Sequence, residues 1–233
     1  MPYRRLPNTD QARIRALKKV LEKGEMNNDF NSLPFSAKSL FEAQSFLTRF
    51  EQAHDYYKKC FENQTSSSQK YHPNIKMARM YVSHFIQVLN LAVMRSEIKE
   101  ELKSLYGLDT KDYSVPDLTN ETAVIEWGDK IIKGERERTR RGGSPIYNPA
   151  IAKVIVHYEI FKEAYDQQKH LQWLTSRSLE MLASLRQKAD SIILDIWNQI
   201  EKYFENLSGT EKLDRCQDYG IVYYYRTGEN KPQ

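Results

Sequence analysis

Long apolar runs are missing from this chain of 233 residues. No stretch approaches the roughly 20 consecutive apolar residues of a membrane-spanning helix. Val82–Met94 is uncharged, but it is short, and His84, Gln87 and Asn90 interrupt it. Cysteine is nearly missing too. Cys60 and Cys216 form no CxxC pair and stand at no regular spacing from histidine, which argues against a disulfide framework or a zinc module and for a reducing compartment. Met1–Arg15 contains charges but no apolar core segment and no cleavage site, so no secretory signal and a cytoplasmic location are expected. Glycine (9) and proline (8) are scarce, which favours long uninterrupted elements. No glycine-rich phosphate loop follows a strand, and neither G-x-S-x-G nor H-E-x-x-H occurs. Those motifs carry nucleotide binding, acyl transfer and zinc hydrolysis, so a non-catalytic role and no cofactor are expected.

What is present is a polar globular balance, with 40% hydrophobic and 28% charged residues and a mean hydropathy of −0.71, enough for one buried core. The net charge of +4 is unevenly placed. Residues 1–24 hold seven Arg or Lys against Asp10 and Glu22, a local +5 that leaves −1 for the remainder. A basic first helix on a nearly neutral body suits phosphates or an acidic partner; its alternative is the solvated face of an amphipathic helix.

Along the chain, Pro7-Asn8-Thr9-Asp10 reads as a helix start, with Ile14, Leu17 and Leu21 on one face and Gly24 as the stop. A loop is expected over 27–34. Leu40, Ala43, Leu47, Phe50, His54, Tyr57 and Phe61 recur at spacings of three and four, which predicts a helix from Ser36 to about Asn63. Asn63-Gln64-Thr65-Ser66-Ser67-Ser68 has poor helix propensity and reads as a turn. Pro73 suits the first turn of a third helix ending at Gly107. Its main face is Met77, Tyr81, His84, Val88, Leu91, Ile98, Leu102 and Leu105, and a second face is Ala78, Val82, Phe85, Leu89 and Ala92. Residues 107–120 read as a linker. A helix over 121–141 is weakened by Gly128 and Gly134, and Gly142-Gly143-Ser144-Pro145 is a break. From 149 to 208 a fourth and a fifth helix are expected, with a turn near Thr175–Ser178, because one unbroken helix is too long for a compact domain. Tyr219–Tyr225 is strand-like within an extended tail, 209–233. Its partner is open: a segment within 107–147, the surface of the bundle, or another chain.

An internal duplication supports the expected turns. Phe50, Ala53, Asp55 and Lys58 match Phe161, Ala164, Asp166 and Lys169, and Thr65–Ser68 matches Thr175–Ser178. The expectation is an all-α single domain: a four-long-helix bundle built as two helical hairpins (36–106 and 149–208) with an approximate internal two-fold repeat, plus the N-terminal helix and a short extended C-terminal tail.

Three constellations are candidates for function. A turn centred near residue 69 sets His54 level with His84, and Glu51 three residues before His54 gives one Glu-x-x-His of the kind found in di-metal bundles. A second Glu-x-x-His is lacking, so Glu51, His54 and His84 make an incomplete metal-dependent site; the alternative is two core histidines sharing hydrogen bonds. Arg136, Arg138, Arg140 and Arg141 suit bidentate phosphate contacts, whereas Glu135 and Glu137 favour ion pairs along an exposed helix. Arg4, Arg5, Arg13, Lys18 and Lys19 extend the phosphate or nucleic-acid alternative, and Tyr223, Tyr224 and Tyr225 offer an aromatic edge for a protein partner.

Three stretches, PYRRLPNTDQARIRAL at 2–17, GGSPIYNPAIAKV at 142–154 and YGIVYYYR at 219–226, resemble together an uncharacterised family of bacterial all-α proteins of similar length. The resemblance implies an all-α fold and assigns no catalytic residue. The functional expectation is a non-catalytic structural or protein-interaction protein with no membrane association. Its alternative is nucleic-acid or phosphate binding, and a metalloenzyme comes third.

Overall fold

The computed structural model describes residues 2–26 and 32–226. The expected loop at 27–31 and the end of the tail, 227–233, lie outside them. The element order is β1 (Tyr3–Arg4), α1 (Asp10–Glu25), α2 (Ala37–Met94), a 3-10 segment (Glu100–Tyr106), α3 (Glu121–Arg140), α4 (Ile151–Tyr203), α5 (Gly209–Asp218) and β2 (Tyr223–Tyr224). The all-α class holds. The chain divides into two compact units, unit 1 being 1–61 with 174–233 and unit 2 being 62–173.

Both expected hairpin turns are helical instead: 63–68 lies inside α2 and 175–178 inside α4. The two hairpins therefore do not form. The physical reason is that the buried stripe never loses phase. In α2 it runs through Tyr57, Cys60, Gln64, Ser67, Tyr71, Ile75 and Ala78, all buried or half-buried, and in α4 through Phe161, Gln168, Ser178 and Leu182. Neither serine-rich segment contains glycine or proline, and the polar residues cost at most about 0.7 kcal/mol each in helix propensity. Their hydroxyls bond within the helix: Ser178 Oγ donates to the Thr175 carbonyl at 2.9 Å, a local bond that replaces a turn. Pro73 sits inside α2 rather than at a helix start. Its cost of about 3 kcal/mol is opposed by burial of Tyr71 and Ile75 on either side, about 1.5–3 kcal/mol for a large apolar side chain.

Unit 1 packs α1, residues 37–61 of α2, residues 174–203 of α4, and α5 around a core centred on Leu17, Phe50, Leu182, Ile196 and Trp197. Thr9 caps α1 by accepting from the Ala12 amide at 3.1 Å. Residues 209–218, expected as extended tail, form α5, whose Cys216 is fully buried. The tail then pairs with the N-terminus: Tyr3 faces Tyr224 and Arg4 faces Tyr223 in an antiparallel pair, continued by the Arg5 amide donating to the Val222 carbonyl at 2.7 Å. The partner of the strand-like run is thus none of the three expected.

Unit 2 is built on Ala78, Val82, Phe85, Ile86 and Leu89 of α2, all 0% exposed. That is the expected second face. The expected main face looks outward at Met77, His84 and Leu91, because the first set is apolar without interruption while the other carries a histidine. α2 stops at Met94, where Ser96 turns left-handed (φ 60°), and the chain folds back into the 3-10 segment capped by Gly107. The 107–120 stretch is anchored rather than loose. Lys103, 0% exposed, donates to the carbonyls of Thr110 (3.3 Å) and Asp112 (2.6 Å), and Asn90 donates to the Tyr113 carbonyl at 3.0 Å. α3 keeps its two glycines because aromatic rings lie against them. A Cβ on Gly128 would sit 2.3 Å from the Tyr158 ring, and one on Gly134 2.6 Å from the Tyr106 ring.

Candidate functional site

The two basic runs have different fates. In unit 2, Arg138 is buried with Glu135 and Tyr106. Its guanidinium donates to Glu135 Oε1 (2.8 Å) and Oε2 (2.9 Å), to the Tyr106 hydroxyl (2.8 Å) and to the Ser144 carbonyl (2.8 Å). The Ile146 amide supplies Glu135 Oε1 with a further donor at 3.0 Å. Burial works to lower the Arg138 pKa, but the Tyr106 and Glu135 contacts outweigh it and hold the pKa above the ordinary arginine value. Burial, then the bond to Glu135, pushes the Tyr106 hydroxyl well up. Arg138 is thus a core residue, closed to a phosphate. Arg140 and Arg141 both pair with Glu137, at 2.9 and 2.8 Å, and Arg136 is exposed. The i,i+3 and i,i+4 spacing that suggested ion pairs is the spacing that forms them.

In unit 1 most of the candidate cations are also paired. Arg13 Nε donates to Asp190 Oδ1 at 2.7 Å and Nη1 to Asp10 Oδ1 at 3.3 Å, while Arg186 holds Asp10 from the other side at 2.8–2.9 Å. The bond to Asp190 raises the Arg13 pKa against the opposing effect of burial. Arg4 donates to Asn198 (2.9 Å) and Glu201 (3.0 Å), and Lys18 meets Glu51 at 2.7 Å. Lys19 has only a 3.5 Å contact to Glu22 between two well-exposed side chains.

The tyrosines of the tail divide. The Tyr223 hydroxyl donates to Glu201 Oε1 at 2.7 Å, and burial, then that bond, raises its pKa strongly. Tyr224 is exposed and its ring lies 5.8 Å from that of Tyr3, and Tyr225 is half-buried. Burial also raises the Cys216 thiol pKa, so at neutral pH it stays protonated rather than acting as a nucleophile.

The histidine pair does not assemble, because the turn that would set the two rings level is absent. His54 is half-buried beside Asp55 (3.3 Å), His84 is exposed, and Tyr81 stacks on His157 with ring centroids 4.2 Å apart. Glu51 is engaged by Lys18. Among the described residues no group of three or more His, Cys, Asp or Glu is placed to hold a metal ion, and no helix is long and apolar enough to cross a membrane.

A cleft in unit 1 takes in two of the cations the sequence singled out, Arg5 and Lys19, but none of Tyr223, Tyr224 and Tyr225. It has a volume of about 610 Å³ and is walled by the N-terminal arm, the first turns of α1, Trp197 of α4, and Gly220 and Val222 of the tail. Arg5, Arg15 and Lys19 line it, and among the described residues no carboxylate does. Arg5 and Arg15 have no ion-pair partner among the described residues. Gly220 makes the wall possible. At φ +87° it adopts the left-handed region, and a Cβ there would lie 3.1 Å from Lys19 Cβ. Trp197 is 1% exposed, and its indole N–H finds no acceptor among the described residues. Sequence reasoning missed Arg15, Trp197 and Gly220 as members of one site. The basic excess of residues 1–24 was the available signal for Arg15, but nothing local marks the other two.

Comparison of the chain with protein-family models, with curated proteins and with solved structures finds no match in any of the three.

Proposed function

We propose that the protein is a non-catalytic binding protein, and that unit 1 recognises an anionic group of its ligand or partner at the cleft between the N-terminal arm, α1 and the tail. One observation carries the reading: three cations converge on a cavity that no carboxylate lines among the described residues. Like charges held together in a concave wall focus a positive field toward the cavity. At about 610 Å³ the cavity falls within the about 300–1,000 Å³ typical of ligand sites. Two of the stretches that resemble the bacterial all-α family, 2–17 and 219–226, supply most of its walls.

A nucleic-acid reading has less support. Arg4, Arg13, Lys18, Arg138, Arg140 and Arg141 each face a carboxylate of the chain itself. A cation already neutralised releases few counterions when it meets a phosphate backbone.

Thermal denaturation of the full chain tests the proposal, in phosphate and in chloride at matched ionic strength. A ligand that binds only the folded state raises Tm with concentration. The wild type should show a phosphate-dependent rise that the double variant Arg5→Gln, Arg15→Gln loses. A rise of equal size in both proteins is a general salting effect and overturns the reading, as does no rise in either.

A further inference from the structure

We infer that the ligand of the unit 1 cleft is a small organic phosphate monoester with an apolar or aromatic body. This rests on the reading of the cleft as an anion site and goes beyond it by naming the ligand class. Charge is the first reason. Arg5, Arg15 and Lys19 line the cavity with no carboxylate beside them among the described residues, and the Lys19–Glu22 contact is too exposed to neutralise Lys19. Two planar guanidinium forks and an ammonium match a dianion with three acceptor oxygens better than a single carboxylate.

Size and lining are the second reason. The cavity of about 610 Å³ dwarfs a water molecule, whose share of liquid volume is about 30 Å³, so a bare phosphate leaves most of it empty. Leu6, Pro7, Ala12, Ala16, Val222 and Trp197 form the apolar part of the wall. Apolar surface of this kind gains by covering a hydrocarbon or aromatic body.

The third reason separates a small ligand from a polymer. A single-stranded nucleic acid needs a continuous basic track with stacking platforms. Here the neighbouring cations turn away: Arg4 toward Asn198 and Glu201, Arg13 toward Asp190, Lys18 toward Glu51. Arg5, Arg15 and Lys19 are thus left as a local cluster at the cleft rather than as part of a basic track through Arg4, Arg13 and Lys18.

Calorimetric titration of the full chain with phenyl phosphate, inorganic phosphate and phenol tests the assignment. Phenyl phosphate should bind roughly ten-fold or more tighter than inorganic phosphate, with no detectable heat from phenol. Tryptophan emission should change on adding phenyl phosphate, and Trp197→Phe should remove the change, since the other two tryptophans, Trp127 and Trp173, lie in unit 2. Arg15→Gln should weaken binding roughly ten-fold, while Arg49→Gln, an exposed residue of α2 outside the cleft, should leave it unchanged. If Arg15→Gln does not fold, Arg5→Gln on the exposed arm carries the same expectation. Equal affinity for phenyl phosphate and inorganic phosphate overturns the ligand class and leaves the anion site standing. Binding of neither overturns both. An oligonucleotide that binds more tightly than phenyl phosphate also overturns the ligand class.

Discussion

Unit 1 and unit 2 treat their arginines in opposite ways. Unit 2 takes Arg138 into its core and surrounds it with Glu135, the Tyr106 hydroxyl and the Ser144 carbonyl, so that every charge there is met by the chain itself. Unit 1 pairs Arg13 at the edge of its core, where Asp190 is still 40% exposed, and leaves Arg5 and Arg15 without an ion-pair partner among the described residues around a cleft. The contrast separates charge that builds a fold from charge held ready for a ligand. A buried ion pair adds little net stability over an apolar replacement but makes the loss of one partner severe. An unpaired surface cation does the reverse: its removal is tolerated by the fold and felt by the ligand.

The sharpest way to break the comparison is Glu135→Ala. It leaves the Arg138 guanidinium and the Tyr106 hydroxyl without their acceptor inside unit 2 and should cost about 3–5 kcal/mol in urea unfolding. A loss below about 1 kcal/mol, typical of a surface pair, would mean that the network is open to water. Next is Gly128→Ala. Alanine is the better helix former by about 1 kcal/mol, yet its methyl would meet the Tyr158 ring at 2.3 Å. Overpacking of about 1–3 kcal/mol should win, and a stabilised variant would show that α3 can move away from α4 within unit 2. Asp190→Asn in unit 1 should cost only about 1 kcal/mol, because Asp10 remains beside Arg13 at 3.3 Å. An effect as large as that of Glu135→Ala would erase the distinction between the units.

The smallest effect expected is one of pH in unit 2. The Ser114 amide, then its hydroxyl, holds the Asp112 carboxyl below the usual aspartate range; the Thr119 hydroxyl, then its amide, does the same for Asp117. A carboxyl whose folded pKa is depressed contributes stability that is present above its unfolded pKa of about 3.9 and is lost as pH falls through the folded value. Hydrogen-exchange protection of the Ser114 and Thr119 amides should therefore fall on acidification below about pH 4, before that of the α3 amides. Protection retained down to pH 2 would contradict it.

Much of the local structure was legible. The helix start at Pro7-Asn8-Thr9-Asp10, the helix over 121–141 and the break at 142–145 follow from spacing and capping chemistry. The two missed continuations, at 63–68 in α2 and 175–178 in α4, share one cause. Serine and threonine mark turns when their hydroxyls bond to a backbone that leaves the helix, but Ser178 bonds back to Thr175 and stays in it. Composition cannot distinguish the two outcomes; the unbroken three-four phase of the buried stripe across 57–78 could have. The site was legible by halves. Arg5 and Lys19 stood out, whereas the tail enters the cleft through Gly220 and Val222 rather than through its tyrosines, and Glu135 and Arg138 read as solvated charge because an i,i+3 pair looks alike in a sequence whether it is wet or dry.

The sequence by itself determined the all-α class, since 3.6-residue periodicity and caps depend on residues within a few positions of one another. Only the tertiary structure decided which charges remain free. Arg13 is neutralised by Asp190 and Arg4 by Glu201, partners more than 170 residues away in the chain. The cleft exists because Gly220 lets the tail return against Lys19. Contacts of that range are set by how the helices pack, and packing brings together residues that no local pattern relates.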